Sequence, residues 1–249
     1  ANGLGCSSNE IIFTSGATES INMAIKGIVA SSNITKKHII TFQTEHKAVL
    51  DTCEYLEKND VEVESLPVDE DGFINTNDII DNIKKETILV TILHGNNEIG
   101  TVQQLKRIGE ICQNANVPLF IDAAQTFGKI PINVSEMGIA MLAASAHKIY
   151  GPKGTGFLYK SNKLLIDPLI HGGGHEHGLR SGTLNVSGIV GLGEAFKRIN
   201  ELRENENKTM NSQIKFLLKS FDVAGLDYSI NGPVEDRIPG NINICLKGI

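Results

Sequence analysis

One lysine in this chain stands where it could capture a carbonyl compound covalently. In Ser145-Ala146-His147-Lys148-Ile149-Tyr150-Gly151-Pro152-Lys153-Gly154, Lys148 follows a hydroxyl and an imidazole and precedes a glycine-rich turn. The run Ile139 to Ala144 reads as a buried apolar strand. An amine at the end of such a strand can lose its charge by desolvation and condense with an aldehyde as a Schiff base. Pyridoxal phosphate is the usual aldehyde. A lone lysine after a strand is more often a surface residue, so the reading depends on what accompanies it.

Leu119-Phe120-Ile121-Asp122-Ala123-Ala124-Gln125 is a second apolar run, ending in a carboxylate with an amide three residues on. Ligands sit at strand carboxyl ends in open parallel sheets. A carboxylate there can keep a pyridine nitrogen protonated, which makes the ring an electron sink, and Gln125 can reach the ring hydroxyl. Asp122 serves equally well as the cap of a following helix or turn. Ile11-Ile12-Phe13-Thr14-Ser15-Gly16-Ala17-Thr18-Glu19-Ser20 reads as strand, glycine turn and helix start. The free N–H groups of a helix N-terminus favour a phosphoryl group, to which Ser145 and His147 can also donate. His46 and Asn97 each follow an apolar strand; the first can stack on an aromatic ring and the second can hydrogen-bond its oxygen, although a single strand-end histidine is usually a structural residue.

Together these residues carry a family resemblance. GATES at 16 to 20, TEHKAVLDTC at 44 to 53, NNEIG at 96 to 100, SAHKIYGPKG at 145 to 154 and HGGGHEHGLRSGT at 171 to 183 look like a cysteine desulfurase of the class V aminotransferase-like, pyridoxal phosphate-dependent enzymes. Five motifs in order are far more specific than any one of them. The resemblance implies Lys148 as the Schiff-base lysine, Asp122 as partner of the pyridinium nitrogen and His46 as the stacking residue, with Gln125 and Asn97 at the ring oxygen. It implies Ala17, Thr18, Ser145 and His147 at the phosphate, and Thr183 reaching the phosphate of a neighbouring subunit, hence a homodimer. The implied substrate is L-cysteine, with a sulfur-acceptor or iron-sulfur scaffold protein as partner. Iron-sulfur cluster assembly and tRNA thiolation stay open as destinations of the sulfur, as does selenocysteine as a substrate.

Members of the family also have an upstream segment, and a downstream loop bearing the persulfide-forming cysteine and an arginine for the substrate carboxylate. Neither is in this sequence, so the expectation is an internal fragment that cannot turn over cysteine alone. Two rival readings remain. His171, His175, His177 and Glu176 could ligate a metal, but the glycines at 172 to 174 argue against the helix that HExxH zinc sites need, which favours a flexible loop over the active site and no metal. A fragment that keeps the fold and only binds a partner is the other.

The net charge of −6 argues against general nucleic-acid binding. No apolar run approaches the roughly 20 residues that span a bilayer, and no signal peptide is visible, so the expected location is cytoplasmic. Cys6, Cys53, Cys112 and Cys245 are too dispersed for a metal motif or a disulfide scaffold; Cys53 and Cys112 fall in helical patterns and are expected to be buried. Apolar strands are expected at 10–14, 37–42, 61–66, 87–93, 117–122 and 139–145, separated mostly by helices, with one helix face marked by Ile21, Ile25 and Ile28 and another by Ile79, Ile80 and Ile83. That alternation predicts an α/β fold, the large domain of a pyridoxal phosphate-dependent transferase, with a mainly parallel sheet covered on both faces. A long helix through Ile189, Leu192, Phe196 and Ile199 leads out of it, and the charged stretch Glu201 to Lys208 marks the expected boundary between a cofactor-binding domain, 1–205, and the start of a small α+β domain, 206–249.

Overall fold

The computed structural model describes residues 1–248. Six apolar runs of β-branched and aliphatic residues form β1 (Ile11–Thr14), β2 (Lys37–Phe42), β3 (Val61–Leu66), β4 (Thr87–Leu93), β5 (Leu119–Asp122) and β6 (Met141–Ser145). The bounds predicted for β2, β3 and β4 hold, while β1, β5 and β6 each begin one or two residues later than expected. A seventh strand, β7 (Gly156–Lys160), was not expected. It has only five residues and opens on Gly156, two positions after Gly154, which conceals the periodicity. The strand order is β1-β7-β6-β5-β4-β2-β3. β2 is parallel to β3 and to β4, β4 to β5 and β5 to β6, whereas β7 runs antiparallel to both of its neighbours. The sheet is therefore mainly parallel, as predicted, with one reversed strand inside it.

The central strands β4, β5 and β6 are buried along their whole length because both faces are covered. Phe120, Met141, Ala143 and Leu158 pack with Ile21, Ile25 and Ile28 of α1 (Ala17–Ser31) and with Val49, Cys53 and Leu56 of α2 (Lys47–Glu57). Leu119, Ile121, Leu142 and Phe157 face the other way. There they meet Ile79 of α3 (Thr76–Asn82), Leu105, Ile108 and Cys112 of α4 (Leu105–Asn114), and Leu192 and Ile199 of α5 (Val186–Val223). Ile80 departs from expectation. It is 50% exposed, since α3 has only seven residues and presents the sheet with a single side chain, Ile79.

Glu201 to Lys208 is not a break in the chain. α5 runs 38 residues without interruption, about 57 Å at 1.5 Å per residue. The stretch contains no glycine or proline, and its glutamate, lysine, leucine and arginine residues are good helix formers. Only the first part of α5 reaches the core, at Gly188, Leu192 and Ile199. Beyond it, β8 (Tyr228–Ile230) and β9 (Ile244–Leu246) form a separate two-stranded antiparallel sheet. A division near residue 205 would thus fall inside a helix. The backbone of Ile238 donates to Gly100 O at 2.8 Å, and Asn241 Nδ2 donates to Asn97 O at 3.2 Å, which ties the last segment to the loop after β4.

Candidate active site

Parallel strands end on the same side, so the loops following β1, β2, β4, β5 and β6 converge. β7 runs the other way, and its leading residues therefore join them. Between these loops lies a cavity of about 530 Å³, lined among others by Ser15, Gly16, Ala17, Thr18, His46, Leu93, Asn97, Asp122, Gln125, Ser145, His147, Lys148, Lys153 and Gly154. Nine of the ten residues singled out from the sequence border this one space. The tenth, Thr183, lies outside the lining and is exposed.

The N-terminus of α1 borders the cavity. Gly16 precedes it at φ 155°, and the turn passes so close to β7 that a Cβ on Gly156 would stand 2.6 Å from the Gly16 Cα; both positions need glycine. Ala17 N–H donates to Ser145 Oγ at 2.9 Å, which leaves the Ser145 hydroxyl hydrogen free to donate. The N–H groups of Thr18 and Glu19 have no acceptor among the described residues. Two free amides at a helix N-terminus, a serine hydroxyl, His147 and Lys153 make a seat for an anion.

Asp122, also in the lining, is 2% exposed. Its Oδ1 accepts the Ala124 N–H at 2.9 Å, so Asp122 caps the turn while also bordering the cavity. Burial raises its carboxyl above the usual carboxylate value, while the Ala124 N–H and the charges of His46 and Lys148 pull it back down. A buried carboxylate in that position favours a cationic partner. His46 is the N-cap of α2, its Nδ1 accepting the Ala48 N–H at 3.1 Å, so in the neutral ring the proton resides on Nε2. Gln125 lies half-buried on the turn after β5.

Two expectations are corrected here. Lys148 is not buried at a strand end. The strand stops at Ser145, and Lys148 is exposed on the 3-10 turn Ala146–Ile149 at the cavity's edge. The glycine-rich loop does not cover the cavity either, and none of residues 171 to 177 lines it. It is held along the sheet edge instead. Glu176 Oε2 accepts the Phe13 N–H of β1 at 2.8 Å, and Arg180 Nε reaches Glu19 Oε1 at 2.7 Å. Burial raises the Glu19 carboxyl, but the Arg180 pair and the Ser15 N–H outweigh it, for a net lowering. The histidines of this loop do not form a cluster of metal-ligand spacing among the described residues. All four cysteines are free; Cys53 and Cys112 are buried as expected, with thiols pushed up to about 12 by burial, and Cys245 is exposed.

Glu45, behind the site, escaped the sequence reading, because a glutamate next to a helix start is ordinarily solvated. It is 6% exposed, and its Oε1 accepts the Leu93 N–H at 2.5 Å. Burial pushes its carboxyl up to about 8, against the Leu93 N–H, with the Asp122 charge adding to the rise. A carboxyl raised on folding favours the folded state fully below its unfolded value, and loses that contribution as pH climbs through the folded one. Stability should therefore fall between about pH 4.3 and pH 8. Glu45→Gln should flatten that fall and be more stable than the parent above pH 8 by about 2–4 kcal/mol. Urea unfolding at pH 5, 7 and 8.5 checks this, and an unaltered pH slope would rule it out.

Known proteins bear on the same geometry. The solved structure titled "NIFS-LIKE PROTEIN" superposes with a TM-score of 0.95 at 38% identity, covering 100% of this chain and 68% of that one. "SspA in complex with cysteine" gives 0.88 at 39% identity, covering 99% of this chain and 69% of the other. The cysteine desulfurase IscS of Dictyoglomus turgidum is 44% identical over 243 residues, covering 98% of this chain. The chain spans 62% of that relative's length. The family model for aminotransferase class-V matches residues 1–249. With its whole length matched and its strand-end loops meeting at one cavity, the chain belongs to the aminotransferase class-V family.

Proposed function

We propose that this chain is the cofactor-binding part of a cysteine desulfurase, which converts L-cysteine and an enzyme thiol into L-alanine and an enzyme persulfide. The observation that carries this is the cavity itself, whose lining brings together an anion seat, a buried carboxylate and an amine. Those features fit pyridoxal 5'-phosphate. When bound, that group withdraws electrons from the substrate's α-carbon. The amides of Thr18 and Glu19, Ser145 Oγ and His147 would hold the phosphate. Asp122 would keep a proton on the ring nitrogen, the ion pair offsetting the cost of its own burial. His46, fixed as a helix cap, would stack on the ring, while Asn97 and Gln125 contact its oxygen. Lys148, exposed at the edge and able to swing, would hold the cofactor covalently at rest and carry a proton to or from the α-carbon afterwards. The thiol that accepts sulfur is not assigned to Cys53 or Cys112, which are buried in the core.

The protein would act as a homodimer, with Thr183 of one subunit at the phosphate of the other, which agrees with its place outside the cavity of its own chain. A protein acceptor or iron-sulfur scaffold would take the sulfur, in the cytoplasm. Among the described residues no helix is long and apolar enough to cross a membrane. Alanine and sulfide measured from L-cysteine, with pyridoxal phosphate and a thiol reductant, test the reading in the protein that carries this sequence. Equal amounts of the two, dependent on cofactor, are expected. Alanine without sulfide, or pyruvate as the main product, would contradict it.

A further inference from the structure

Far from the cavity residues, three side chains of metal-ligand type meet on the sheet edge formed by β2 and β3. His38 stands opposite Glu62 in the parallel register, with Glu64 two residues further along the same face. One ring nitrogen of His38 and one carboxylate oxygen from each glutamate lie within 4.8 Å of one another. Lys84, on the turn after α3, lies over them, its Nζ 2.6 Å from Glu62 and 3.8 Å from Glu64.

A surface ion-pair cluster accounts for Lys84 and the two glutamates. It leaves His38 unexplained. That ring is fully buried, its Nδ1 lies 2.8 Å from Thr87 Oγ1, and its Nε2 has no partner among the described residues. A buried polar atom without a partner is costly and rare. Thr87 Oγ1 already accepts the Lys84 N–H at 2.8 Å, and its second lone pair can accept Nδ1–H, which puts the free lone pair on Nε2. This is how a ligating histidine is usually oriented from behind.

We propose that His38 Nε2, Glu62 and Glu64 bind a first-row divalent metal ion such as zinc, and that the Lys84 ammonium occupies the same charge well when the ion is absent. One imidazole and two carboxylates suit such ions better than they suit thiolate-seeking ones. With bonds of about 2.0–2.2 Å the donors must close to roughly 3.4 Å apart, a movement open to the two glutamates, which are not buried. The bound ion would clip the edge strand β3 onto β2.

The test is zinc titration against a chromophoric chelator, together with the zinc-dependent shift in melting temperature. One ion per chain at this site is expected. The surface double variant Glu62→Gln/Glu64→Gln should weaken it by tenfold or more, and Thr87→Val by about tenfold or more through loss of the orienting bond. Lys84→Ala should tighten it severalfold. His175→Ala/His177→Ala, in the glycine-rich loop, should leave it unchanged. Zinc uptake that survives the double glutamate substitution, or that disappears with the loop histidines, would overturn the proposal, as would no uptake at all below millimolar zinc in the unsubstituted protein.

Discussion

Lys148→Ala should abolish the covalent capture of pyridoxal phosphate and slow turnover of L-cysteine on the order of 10²–10⁴-fold, the usual worth of a positioned acid–base group. The substitution is on an exposed turn, so the fold should be undisturbed and the loss read as chemistry. Borohydride reduction of the loaded protein, followed by peptide mass analysis, should place the cofactor's mass on the peptide containing Lys148 and nowhere in the variant. Lys129 makes the comparison demanding. Burial, and then the charge of Lys148, lower its amine below the ordinary lysine value, which makes it a rival nucleophile. It does not line the cavity, so Lys129→Ala should retain full adduct formation. If the adduct persists in Lys148→Ala and vanishes in Lys129→Ala, the anchor is Lys129 and the geometric argument is wrong.

The second large effect is expected at Asp122. Asp122→Asn keeps the acceptor for the Ala124 N–H and removes only the charge, so turnover should fall by about 10²–10³-fold, the scale of a lost preorganised electrostatic partner, while Lys148 still binds the cofactor covalently. Stability should move the other way. Burial raises the Asp122 carboxyl, so in the cofactor-free protein its ionisation opposes folding as pH rises, and the asparagine should fold at least as stably at neutral pH and above. Turnover within twofold of the parent would remove Asp122 from the mechanism. Lost turnover accompanied by lost stability would mean that it acts as a structural cap alone.

The outcome at particular residues shows what kind of information a sequence holds. β2, β3 and β4 were legible to the residue because β2 and β4 are mostly apolar runs and β3 alternates apolar with polar residues, and patterns of strand length between helical ones leave few alternatives. β7 was not legible. It has five residues, directly follows the site's glycine turn, and reverses direction within a parallel sheet, which depends on its neighbours and not on its own composition. The boundary expected at Glu201 to Lys208 falls within the continuous helix α5. Glutamate and lysine are as much the signature of a solvated helix as of a loop, and only the continuous backbone of α5 tells them apart.

By itself the sequence determined the chemical inventory: an amine after Ser145 and His147, a carboxylate at the end of an apolar strand, a glycine turn opening a helix, and a mainly parallel α/β arrangement that brings strand ends together. Those follow from residue type and local periodicity, which act over a few positions along the chain. Tertiary structure decided what depends on burial. Lys148 is exposed and Lys129 is shifted; Glu45, at an ordinary helix start, is shut away with its carboxyl raised; the glycine-rich loop is pinned to β1 by Glu176 instead of lying over the cavity; and His38 is closed off beneath Lys84. Desolvation sets the ionisation of a group, and it is a property of everything packed around that group, so residues distant in sequence settle it.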